Sequence, residues 1–221
     1  MPSDVSELLL FNCFRLEFLD GIPNTVTYLR IDACDKLRSL EGIEQLELTD
    51  LVLGKLSSLH SLYGLEHPVL RIGLSSGLHL VTPSHVVCYE LKICHYDDKI
   101  NGDTIRTLPK CARFLVYNSN VESLQNLSDD VRVIYIDNTN DIDSFVLEKY
   151  LPSKLEKFYI MRYNILNSYF ERTTNPYNMP KTLKKLVFGN IKDKKIQDAI
   201  VSHFSQKTNA KINFETVIVP D

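Results

Sequence analysis

Tryptophan is absent from this chain of 221 residues, and methionine (3), cysteine (5) and glycine (8) are scarce. Each scarcity excludes something. With so few glycines there is no glycine-rich phosphate loop: neither G-x-G-x-x-G nor G-x-x-x-x-G-K-[ST] occurs, and there is no H-E-x-x-H helix. The reading therefore expects no active site and no enzymatic activity. The cysteines are odd in number and irregularly spaced, so an extracellular disulfide framework is not expected; a reducing compartment, cytosol or nucleus, is. No apolar run approaches the length of a membrane-spanning helix, and no basic segment precedes a hydrophobic stretch near residue 1. A strong excess of one charge is missing too. The 25 basic and 28 acidic residues leave a net charge of −3, with 10 against 15 over residues 1–110 and 15 against 13 over 111–221. Neither half has the basic excess that phosphate-backbone binding needs, which argues against a nucleic-acid partner.

What the chain does have is a 44% apolar content arranged in a recurring pattern. In residues 22–43, IPNTVTYLRIDACDKLRSLEGI, Pro23 is followed by Val26, Leu29, Ile31 and Cys34. Pro2 is followed at the same offsets by Val5, Leu8, Leu10 and Cys13, and Asp20-Gly21-Ile22 answers Glu41-Gly42-Ile43. The pattern continues as Leu48/Leu51/Leu53/Leu56, a weak His67/Leu70/Ile72/Ser75, Cys88/Leu91/Ile93/Tyr96 and Ala112/Leu115/Tyr117/Asn120. Val131/Ile134/Ile136/Thr139, Leu155/Phe158/Ile160/Tyr163, Leu183/Leu186/Phe188/Ile191 and a degenerate copy at Ile212 and Phe214 complete it, at a mean period of about 23 residues.

Pro2, Pro23, Pro109, Pro152 and Pro180 each stand three residues before the first apolar position of a copy, just ahead of a strand, where no N–H is yet needed. Pro83 is out of phase by two residues, which would leave the facing of its strand unchanged. Inside each copy the alternation L-x-h predicts a short strand with alternate residues buried. Beyond it, spacings of three, as in Cys34/Leu37/Leu40, predict turns that return the chain. DIDSFVLEKYLP reads as a helix capped by Asp143, KDKKIQDAIVSHFSQK as one with Ile196, Ala199, Ile200 and Phe204 on one face, and residues 164–180 as an irregular insertion. One such unit cannot bury its apolar face alone, so stacking must supply the core. The expected fold is α/β: a single right-handed solenoid over residues 1–221, with about ten repeats, a parallel sheet, and a capping helix and strand from about residue 191.

These residues resemble the leucine-rich-repeat superfamily over essentially the whole chain. LRIDACDKLRSL is similar to plant immune-receptor-like repeats with cysteine at the turn, and the proline-led LPSKLEKFYI and MPKTLKKLVFGN to FNIP-type or bacterial-effector repeats. The resemblance implies a curved solenoid whose concave sheet binds protein, alone or as the substrate-recognition part of a larger ubiquitin-ligase-type or effector assembly.

Candidate binding residues are those expected to point outward from the strands. Arg30, Arg71 and Lys92 would meet acidic groups, while Phe114, Val116, Val133, Tyr135, Tyr159 and Met161 would form an aromatic and apolar patch that anchors a protein partner. Lys157, Lys185 and Lys211 offer a weaker, nucleic-acid reading. Cys88, Cys94 and Cys111 with His85 and His95 lack paired C-x-x-C spacing, so no metal or other cofactor is expected. The first repeat has no cap, which leaves its edge open to pairing with another chain.

Overall fold

A computed structural model describes residues 4–75, 80–95, 99–137, 150–161 and 179–216. The inward Leu-x-Ile and Leu-x-Leu pairs form strands, as their alternation requires. These are β1 (Glu7–Phe11), β2 (Tyr28–Asp32), β3 (Asp50–Gly54), β4 (Val69–Ser75) and β5 (Val87–Cys94). After them come β6 (Lys110–Tyr117), β7 (Val133–Asp137), β8 (Lys157–Met161), β9 (Lys185–Gly189) and β10 (Lys211–Glu215). They lie in one sheet in chain order, and the pairings from β1 to β5 and from β7 to β10 are parallel. Strand, return and next strand in parallel make the architecture a repeat solenoid. Helices are few: α1 (Gly102–Arg106) and α2 (Lys194–Ser205) among the described residues.

The chain forms two compact units, Met1–Asp98 with Arg106–Arg113, and Lys99–Ile105 with Phe114–Asp221. The division falls inside β6. In the first unit, Val26, Leu29, Ile31, Cys34, Leu37 and Leu40 have no solvent exposure. Each such aliphatic side chain stabilises the fold by about 1.5–3 kcal/mol relative to exposure. The return path consists of successive turns in which an inward residue's carbonyl accepts from the N–H three residues on: Cys34 from Leu37, Leu40 from Ile43, Ile43 from Leu46. The prolines open similar turns. Pro23 and Pro83 accept from Val26 and Val86, and in the second unit Pro152 and Pro180 accept from Leu155 and Leu183, at 3.0–3.1 Å.

The weakest copy of the pattern, in β4, has a different register from the expected one. In β4 the inward residues are Val69, Ile72 and Leu74, and Leu70 is exposed. Arg71 therefore lies opposite Asp50, and Gly73 takes the central outward place opposite Val52. Val69, Ile72 and Leu74 keep the three-then-two spacing of the other copies, placed two residues later than the expected His67, Leu70 and Ile72. In repeat five Cys88, Leu91 and Ile93 face inward as expected; Pro83 opens a turn onto buried Val86, but the register it would favour, with Tyr89 inward, is not adopted, because Tyr89 is exposed.

In β6 the slip is one residue, which reverses every side chain. Cys111, Phe114 and Val116 take the inward places, with Ser119 buried at the turn, where Ala112, Leu115, Tyr117 and Asn120 were expected; Leu115 is buried as well, between Phe114 and Val116. Pro109 does not open a turn onto Ala112; β6 begins directly after it.

In the second unit, the side chain of Asn101 starts α1, accepting from the N–H groups of Asp103 and Thr104 at 2.9 and 3.1 Å. The expected C-terminal helix is present as α2, capped by Asp193, whose carboxylate accepts from the Lys195 N–H at 2.8 Å. Its residues Ile200 and Phe204 are buried, with Ile196 and Ala199 half-buried beside them. The Phe204 ring lies 5.6 Å from Phe188, which in turn stacks on Phe214 of β10 at 6.1 Å. The Asp143 helix, Thr139, Tyr96, Tyr163 and most of the 164–180 insertion lie outside the described residues.

Candidate functional site

In the first unit, strand pairing arranges the outward side chains in columns. The central one runs Leu9, Arg30, Val52, Gly73, Lys92. Arg30 does not project freely. Its guanidinium lies 5.1 Å from the centre of the Phe11 ring and 3.5 Å from the Asp32 carboxylate. Beside this column runs one of alternating charge. Arg71 forms a two-pronged ion pair with Asp50, its Nη2 at 2.8 Å from Oδ2, and Arg113 pairs with Glu90 at 3.1 Å. The hydrogen bonds from Arg71 to the Asp50 carboxylate, followed by its attraction, raise the arginine pKa. Arg71 is thus committed within the sheet, and of the three expected cations Lys92 is the fully outward one in the central column. It too has interactions of its own.

The expectation of no catalytic motif needs one correction. Residues 73–77, GLSSG, match the G-x-S-x-G spacing of a nucleophile elbow. That elbow needs its serine on a strained turn from strand to helix. Ser75 is instead the last residue of β4, paired with Cys94 of β5. Its hydroxyl lies over Gly54, where a Cβ would come within 2.3 Å of it and 3.1 Å of an Asp32 oxygen.

In the second unit the outward face is aromatic. Tyr135 of β7 and Tyr159 of β8 are direct partners in the strand register, with ring centroids 6.1 Å apart and planes tilted by 37°. Tyr117, at the end of β6, stacks on Tyr135 at 4.8 Å and 31°. The Lys185 ammonium lies 5.2 Å from the centre of the Tyr159 ring and accompanies it with an ion pair to Glu215 at 3.0 Å. The hydrogen bond to Glu215 raises the Lys185 pKa, outweighing its partial burial. Val133, Tyr135 and Tyr159 are half-exposed, as expected.

Three expected members of the patch are not on its surface. Phe114 and Val116 have no exposure, because the slip in β6 turns them into the core. Met161 is outward by alternation, yet it and its partner Asp137 are buried, so the face is closed to water at that end of the strands. Tyr117, expected inward, takes the vacated aromatic place. Its signal was available in the sequence: Tyr117-Asn118-Ser119 answers Phe11-Asn12-Cys13, an aromatic residue, the strand-exit asparagine, then a small residue at the turn.

The cysteines form no disulfide. Cys34, under Cys13 of the previous repeat, has its thiol directed at the carbonyls of Leu10 and Asp32, at 3.7 and 3.5 Å. Burial pushes the thiols of Cys34 and Cys94 up, raises Cys88 to about 12, and raises Cys111 most of all. Such thiols are inert as nucleophiles and poor metal ligands at neutral pH. Among the described residues, no group of three or more His, Cys, Asp or Glu is placed to hold a metal, and no helix is long and apolar enough to cross a membrane. The chain matches no protein-family model, no curated protein and no solved structure.

Proposed function

We propose that this chain is a non-enzymatic protein-recognition module of leucine-rich-repeat type, a right-handed solenoid that binds a protein partner through the outward face of its sheet. The handedness follows the chirality of parallel crossovers. The observation that carries the functional reading is the stack of Tyr117, Tyr135 and Tyr159, half-exposed and flanked by Val133. Tyrosines held on rigid strands offer large contact area at low conformational-entropy cost, and such residues dominate protein interfaces. Cytosol or nucleus is the proposed compartment, because an odd set of thiols that are mostly buried suits a reducing environment.

The test pairs two variants. Tyr135→Ala with Tyr159→Ala should keep the fold and abolish capture of the partner identified by affinity purification with the parent chain. Ile134→Ala, one residue away but fully buried, should lower stability by roughly 2–5 kcal/mol. A tyrosine pair that captures the partner as well as the parent does would remove this face from the function.

A further inference from the structure

Beside the tyrosines, the second unit carries a row of cations. The strand register sets Lys157, Lys185 and Lys211 side by side on β8, β9 and β10, continuing the place held by Val133 on β7. Lys185 is engaged by Glu215 and by the Tyr159 ring. Lys157 and Lys211 are exposed, and neither has an ion-pair partner among the described residues. One strand spacing lies on each side of Lys185, so the backbones carrying these two lysines stand roughly 10 Å apart. Just outside the row, Glu156 is held between Arg132 at 3.5 Å and Lys184 at 2.9 Å, and its carboxyl is kept below the ordinary range chiefly by the Lys184 hydrogen bond. The local balance is positive, in contrast to the alternating column of the first unit.

We infer that this face binds an acidic polypeptide segment in the polyproline-II conformation, with carboxylates three residues apart, seated across Lys157 and Lys211 with the tyrosines alongside. Three residues of polyproline-II chain make one turn and rise about 9 Å, which returns the second carboxylate to the same face at the spacing of the two lysine strands. Single-stranded nucleic acid has the same sign of charge but needs free aromatic faces for base stacking. Here Tyr117 lies on Tyr135, Tyr135 on Tyr159, and Lys185 over Tyr159, so those faces are used within the protein. Carboxylates need only the ammonium groups. The inference rests on the recognition reading above and assigns its partner a chemistry.

The experiment uses the whole chain and a fluorescein-labelled (Glu-Gly-Ser)4 peptide, with anisotropy as the readout and a twelve-nucleotide oligothymidylate as competitor. The peptide should bind, weaken as salt is added, and lose about tenfold in affinity in the variant Lys157→Glu with Lys211→Glu. The same reversal at Lys36 and Arg38, exposed residues of the first unit, should leave binding unchanged. Melting temperatures establish that both variants fold. Absence of peptide binding, equal binding by the two variants, or tighter binding of the oligonucleotide would each overturn the inference. If the lysine reversal leaves partner capture intact while the tyrosine pair abolishes it, the acidic segment is wrong and the recognition face stands.

Discussion

At the exit of six strands a single residue carries the chain through the left-handed region. Asn12, Ala33, Lys55, His95, Asn118 and Asn190 have φ between 48° and 60°. From there Asn12, Ala33, Asn118 and Asn190 donate to the last carbonyl of the following strand, at 2.8–3.0 Å. Asparagine tolerates this conformation; alanine and lysine adopt it at a cost. Ala33→Gly and Lys55→Asn should therefore each stabilise the protein by about 0.5–1 kcal/mol, read as a higher urea midpoint with an unchanged slope. A lower midpoint for both would contradict the strain. On the return path the glycines separate strain from space. A Cβ at Gly21 (φ +81°) meets nothing within 4 Å, whereas at Gly64 (φ +97°) it would meet the Leu40 carbonyl carbon and oxygen at 2.5 Å. Gly21→Ala should cost about 1 kcal/mol for the backbone alone, and Gly64→Ala clearly more, because backbone must move.

At the scale of the element, β6 and α2 decide the second unit's core. Phe114→Ala should cost about 3–5 kcal/mol, as a large side chain with no exposure, while Tyr117→Ala on the opposite face should cost well under half of that. Chemical denaturation of the two variants checks the register; equal losses would restore the other facing of the strand. Removal of everything after Asn190 would strip Phe204 and Phe214 from Phe188. The truncated chain should aggregate or melt much lower, by light scattering and calorimetry, whereas a monomer with the parent melting temperature would show that α2 and β10 contribute nothing to the unit's end.

For the whole molecule, buried thiols set a limit on alkaline stability. Burial raises Cys88 from an ordinary 9.0 to about 12. Above pH 9 the unfolded chain releases this proton while the folded chain keeps it, so rising pH favours unfolding. The contribution is complete below pH 9 and is lost as pH rises to about 12. The stability difference between the parent and Cys88→Ala should accordingly narrow across that window. A difference that stays constant from pH 8 to pH 11 would refute the linkage to Cys88 (about one thiol proton in this range).

The repeat, the parallel strands, the inward residues of β1, β2, β3, β7, β8 and β9 and the C-terminal helix were legible in the chain itself. Stacked units all bury the same positions, and so write one pattern many times. The copies in β4 and β6 were misplaced by two residues and by one, although Val69/Ile72/Leu74 and Cys111/Phe114/Val116 keep the common spacing, because a periodic count has no means of locating an added residue between copies. Tertiary packing decided those registers: Phe114 and Val116 are inward because the core, not the proline, sets their facing. It also decided which outward residues remain available. Ion pairing across strands commits Arg71 to Asp50 and Arg113 to Glu90, and burial removes Met161. Such commitments join residues about 20 apart in sequence whose registers must first be known, and a single repeat does not contain that information.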